Sequence, residues 1–293
     1  MSRFFPMNGQ VDIIFLIGLT LKLSILLVEF SLGLRTGFED ILHLFRHPAL
    51  FVRSLAAMYL VVPFFALSAA LAFPLNGPVK IALVALALSP VPPLLPKKQL
   101  KAGGGRSYIA SLLFTAALIS IVFVPVVLSL LTSVFSVGLE ISPLALARFV
   151  FLMILAPILA GMLTKKLAPI FSAKLAGPLA KISLLTLILA VLPVLFVAWP
   201  LILSLIGNGS ILVFIAFTLV GLAAGHWLGG PAKETRTTLA LAAASRHPGM
   251  ALVIAGANFP AEKKLVLAAL LLYLIVGAVV SLPYLFRKKP TEG

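Results

Sequence analysis

The sequence contains no cysteine, two tryptophans, and eight acidic residues against 23 lysines and arginines. Without cysteine there are no disulfides, no thiolate metal site and no cysteine nucleophile, and compartment is not readable from thiols. The shortage of acids excludes more. Glu29 is the one carboxylate well inside an apolar run, so paired-carboxylate acid and base chemistry has no partner, and no H-E-x-x-H spacing offers metal ligands. The glycine run at 103–105 lacks the Lys-Ser/Thr that completes a phosphate-binding loop. No catalytic residue, resident metal or cofactor is expected, and the chain does not read as an enzyme.

What the chain does hold is apolar length. It is 61% hydrophobic and 11% charged, with a mean hydropathy of +1.18, far too apolar for a soluble globular domain. Runs near twenty residues recur, each a candidate crossing of a lipid bilayer whose hydrocarbon core is about 30 Å thick. The fold class is an all-α polytopic membrane protein. Nine crossings are counted, near residues 11–34, 49–75, 78–101, 107–132, 143–164, 177–205, 210–229, 236–258 and 263–286. No small-residue cleavage site follows the first run, so it reads as retained. One transmembrane domain over 1–293 is expected.

A formal charge of +15 would suggest nucleic acid in a soluble protein. Here the basic residues lie between apolar runs, where they set topology, and nucleic acid is not expected as a partner. One side of the map collects Arg35, Arg46, Arg53, Lys97, Lys98, Lys101, Arg106, Lys165, Lys166, Lys174, Lys181, Lys233, Arg236, Arg287, Lys288 and Lys289. The other receives only Arg3, Lys80, Arg148, Lys263 and Lys264. Because cytoplasmic loops gather Lys and Arg, the N-terminus is expected outside and the C-terminus in the cytoplasm, in a bacterial inner (plasma) membrane.

The stretch RTTLALAAASRHPGMALVIAGANFP (236–260) is long enough to cross but is interrupted at its centre by Arg246, His247, Pro248 and Gly249. A charge at bilayer depth costs about 3 kcal/mol on insertion scales, so an intramembrane Arg marks a functional site by default. Pro248 removes a helix donor and suits the first position of a new helix. One half-helix therefore offers unpaired carbonyls to a cation, and the next offers N–H groups to an anion. Ten residues at about 1.5 Å each put Arg246 near the midplane. A second interruption, SPVPP (89–93), falls at similar depth in the third crossing. Crossings one to four and six to nine share the order helix, helix, broken helix, helix. The fifth, 143–164, inverts the second set, giving repeats over about 11–132 and 177–286. Paired breaks of this kind mark the midplane site of secondary transporters.

These residues resemble the bile acid:sodium symporter family. The matching stretches are FSLGLRTGFEDILHLFRHP (30–48), the broken third crossing followed by FTAALISIVFVPVV (114–127), and RTTLALAAASRHPGMALVIA (236–255). The resemblance implies two crossed broken helices, a core that contains them and a panel that moves against it, in ten or, as here, nine crossings. It also implies sodium ligands, and these are replaced. The family's Glu falls on Ala242, its Gln on Arg246 and the following Asn on His247; at the first break its Ser and Asn fall on Pro96 and Lys97. A cation in that space supplies positive charge without an ion.

The expected function is a secondary transporter or facilitator of small organic anions, with sodium not expected as coupling ion and protons as a candidate. The alternatives are a sodium-dependent organic anion symporter with other ligands, or a sensor or pore on the same fold. Candidate substrate residues are Arg246, His247, Gly249, Ser89, Lys97 and Lys98. Candidate coupling or gating residues are His247, Glu29 and Lys22, the last two being seven residues apart on one helix face. Gly18, Gly33, Gly161, Gly221, Gly225 and Gly256 are read as sites of close helix contact.

Overall fold

The computed structural model describes residues 13–135 and 142–286, so Arg3, Arg287, Lys288 and Lys289 of the charge map lie outside the described residues. All regular structure described is helical. In chain order the helices are α1 (Ile13–Gly33), α2 (Phe38–Leu42), α3 (Pro48–Leu55), α4 (Val62–Ala72), α5 (Gly77–Leu88), α6 (Leu95–Lys101), α7 (Arg106–Phe135) and α8 (Pro143–Val150). They continue as α9 (Ala156–Leu167), α10 (Pro169–Ser204), α11 (Ser210–Leu228), α12 (Lys233–Ala244), α13 (Pro248–Asn258) and α14 (Lys263–Leu285).

Among the described residues, eight stretches are long and apolar enough to cross a membrane, and Gly77–Leu88 is a shorter apolar helix. That shorter helix is α5, the first half of the expected third crossing. Pro90, Pro92 and Pro93 end it, and the chain resumes as α6. The sixth crossing begins at Pro169 rather than near 177, because Pro169 opens a helix of 36 residues that carries Pro178, Pro193 and Pro200 without breaking.

Prolines shape two further crossings more quietly. In Pro48–Ala72 a π-helical turn, Ala56–Val61, joins α3 to α4 just before Pro63, and in Pro143–Leu167 another, Phe151–Leu155, joins α8 to α9 just before Pro157. Both chains stay helical by widening one turn, so that the donor preceding each proline reaches back five residues. The residue after that acceptor then has neither donor: Val62 N–H goes to Ala57 C=O and Pro63 has none to give, leaving Met58 C=O open.

Contacts divide the described helices into two groups. The first is α1 along α9 and α10. Gly33 and Gly161 allow it, since a Cβ on either would collide with backbone of the other helix. The second gathers α4, α5 and α11 to α14, with α11 against α12 as its closest pair. A Cβ at Gly221 or Gly225 would strike the α12 backbone, whereas one at Gly18 would meet nothing and one at Gly256 only the Lys263 side chain. The groups meet where α10 touches α14, and again where α7, which packs on α5, touches α8, the helix that runs on into α9. Short α2 is fastened to α7 by Asp40, which accepts from Ser107 Oγ at 2.5 Å, and by Ser111, which donates to Ile41 C=O and accepts from Leu44 N–H.

Candidate functional site

The two interrupted helices meet at their breaks. Chain extended by Ser245 to His247 joins α12 to α13, and His247 N–H donates to Pro90 C=O at 2.9 Å, tying the second break directly to the first. Their half-helices follow suit, α13 lying on α5 and α12 on α6. Gln99 of α6 reinforces the second contact by donating to Thr238 C=O at 2.7 Å.

Arg246 is wholly buried at this point. Its Nη1 donates to Ser89 C=O at 3.2 Å and its Nη2 to Met58 C=O at 2.6 Å. Both acceptors exist because of proline. Ser89 C=O would in a helix accept from residue 93, which is Pro93; Met58 C=O is the carbonyl that Pro63 and the π-helical turn leave open. A third proline-made vacancy is filled from α14. Pro248 denies Ala244 C=O its donor, and Tyr273 Oη donates there at 3.0 Å while accepting from Arg246 N–H at 2.9 Å. The Tyr273 ring is held edge-on by Phe217, with centroids 5.8 Å apart.

A buried guanidinium is tolerable only if its donors are met, and here it is met by the carbonyl at the C-terminal end of α5, where the helix dipole favours a cation, and by the open Met58 carbonyl of the π-helical turn. The opposite polarity lies one residue on. His247 caps α13, its Nδ1 accepting from Met250 N–H at 3.3 Å. In the neutral ring that bond leaves the proton on Nε2. Gly249 lies under the imidazole, with an added Cβ 3.0 Å from His247 Cε1. Two buried polar atoms here have no partner among the described residues, Arg246 Nε and His247 Nε2.

Of the residues singled out in the sequence, Arg246, His247, Gly249 and Ser89 come together. Lys97 and Lys98 do not. They stand exposed on α6, past the crossing, which is made by Ser89 and Pro90 rather than by residues 96–97. The resemblance implies a crossing at Pro96 and Lys97, but the proline cluster ends α5 earlier, at Leu88. Lys22 and Glu29 are not a pair either: Lys22 is exposed, while Glu29 is fully buried with neither oxygen partnered among the described residues. Seven residues give two turns, hence one face, but Glu29 is enclosed where Lys22 is not. Met58 and Tyr273 were not foreseen.

A cavity of about 340 Å³ lies elsewhere. It is lined by apolar residues of α4, α5, α7 and α13, with Lys80 and Asn258 among them, and Arg246 is not part of it.

A comparison with curated proteins finds no match. The model of the sodium bile acid symporter family matches residues 22–204, well over half of the chain, from within α1 to the end of α10 and including the first break. The second break lies beyond that match. Read with the all-helical polytopic fold, the match shows that the chain belongs to the sodium bile acid symporter family, a family of membrane transporters.

Proposed function

We propose that the protein is a secondary carrier or facilitator of small organic anions in which Arg246 supplies, as a tethered cation, the positive charge that sodium brings to the family's crossing. The observation that carries this reading is the fully buried guanidinium of Arg246 bound to two carbonyls that prolines have emptied. Sodium needs oxygen ligands, preferably with carboxylate among them. At this crossing the positions that answer to the family's Glu, Gln and Asn are Ala242, Arg246 and His247, so a free cation would meet a fixed one.

The anion's place is the other face of the break. There the first turn of α13 offers N–H groups and a positive dipole end, His247 Nε2 carries an unused donor, and the Arg246 charge lies in the adjoining residue. Gly249 keeps that turn free of a side chain. Lys97 and Lys98 contribute at longer range, raising the potential for anions on the α6 side. Movement of the α1, α9 and α10 group against the rest would expose the site alternately, as a panel against a core.

Uptake of labelled pyruvate and cholate by proteoliposomes tests the reading. Saturable uptake that accelerates with internal unlabelled anion is expected, and Arg246→Gln should abolish it. Ohmic conductance without counterflow would identify a pore instead.

A further inference from the structure

Outside the crossing, one more ionisable side chain among the described residues is buried completely. Glu29 lies one turn before Gly33 on α1 and so on the same face. Gly33 is where α1 and α9 touch backbone to backbone, so that face is closed to lipid and water, and Glu29 has no exposed surface. Both carboxyl oxygens lack a hydrogen-bond partner among the described residues.

Among the described residues no cation answers it. The charged residues on the elements packed against α1 are Lys165 and Lys166 of α9 and Lys174 and Lys181 of α10, and the π-helical turn Phe151–Leu155 carries none. Lys165 donates to Arg35 C=O, Lys166 lies over the Phe38 ring, and Lys174 and Lys181 are exposed. On α1 itself Lys22 is exposed, and Arg35, just past its end, donates to Ala176 C=O.

We infer that Glu29 is a proton-binding site within the membrane, occupied by a proton when enclosed and emptied when the α1–α9 contact opens. A bare carboxylate held there would have neither partner nor solvent, which proteins avoid by neutralising the group. A neutral acid needs only an acceptor for its one O–H; the π-helical turn packed against α1 leaves one carbonyl open, although Glu29 makes no bond to it in this structure. Ala156 N–H goes to Phe151 C=O and Pro157 has no N–H, so Leu152 C=O is left open as Met58 C=O is. Because Glu29 sits in the helix group that the proposed carrier moves, its proton is the coupling ion; that part rests on the carrier reading.

Infrared spectra of the full chain in liposomes, wild type against E29Q, decide the protonation without any substrate. A neutral carboxylic acid C=O band at neutral pH, missing from E29Q, kept in E29D and lost reversibly on alkalinisation, is expected. Identical wild-type and E29Q spectra in that region, or a band indifferent to pH, would overturn the site. Pyruvate uptake under an inward proton gradient then tests coupling. Several-fold acceleration in wild type and none in E29Q is expected, and an equal response in both overturns it. Absence of pyruvate and cholate uptake from the wild type contradicts the carrier reading alone, since the infrared result still decides whether Glu29 holds the proton.

Discussion

The Arg246 guanidinium reaches Met58 C=O, 188 residues away in sequence, at 2.6 Å, and so joins the second broken helix to a crossing near the start of the chain. With Ser89 and Tyr273 it ties four crossings together through carbonyls that prolines have set free.

Replacing Arg246 by Met keeps much of the side-chain volume and removes both donors. Two carbonyls are left dry, a loss of about 3 kcal/mol when hydrogen bonds to a charged group are deleted. Thermal unfolding in detergent should show a clearly lower midpoint for Arg246→Met, and a smaller drop for Arg246→Lys, whose ammonium keeps the charge but spans the two carbonyls less well.

Tyr273→Phe deletes a single hydroxyl that serves two backbone groups, accepting from Arg246 N–H and donating to Ala244 C=O. Stranding both should cost about 1–3 kcal/mol, out of proportion to one oxygen atom. Denaturation of the purified variant measures it; stability equal to wild type would mean the break is held by other contacts.

How much of this the sequence discloses depends on the kind of group involved. Arg246 and Pro248 are legible because a charge and a proline inside an apolar run break the pattern of a crossing. The positions of Gly33, Gly161, Gly221 and Gly225 at close contacts are legible for the same reason, small residues where bulk is the rule. Met58 is not, since its side chain plays no part. It becomes an acceptor only because Pro63 lies five residues on and the widened turn diverts Val62 N–H, a consequence of backbone geometry. Tyr273 sits in an ordinary apolar helix, and only the folded chain brings it to Ala244. Lys97 is legible as a cation beside a break, but which residues meet there depends on where the proline cluster ends α5, and the contact is made at Ser89 and Pro90.

His247 performs two separable tasks, capping α13 through Nδ1 and presenting Nε2 to the proposed anion site. Asn keeps a capping oxygen but offers no donor at the Nε2 position. His247→Asn should therefore stay within about 0.5 kcal/mol of wild-type stability, whereas His247→Ala should lose about 1 kcal/mol with the cap. Both should weaken carboxylate uptake alike, a split visible by pairing thermal unfolding with flux.

Gly225→Ala drives a methyl group into the backbone of Leu239 and Ala240 and must part α11 from α12, next to the break. Overpacking of this sort costs about 1–3 kcal/mol. Gly18→Ala, where nothing lies within 4 Å, should be neutral or stabilising by up to about 1 kcal/mol through helix propensity. Equal behaviour of the two variants in unfolding assays would argue against the close α11–α12 contact.

The most direct measurement compares initial rates of labelled pyruvate and cholate uptake by proteoliposomes in sodium buffer with those in choline buffer at equal ionic strength. A charge fixed by Arg246 predicts the same rate in both for the wild-type protein. A several-fold fall when choline replaces sodium would contradict it, because the crossing would then still require the ion that the guanidinium is held to replace.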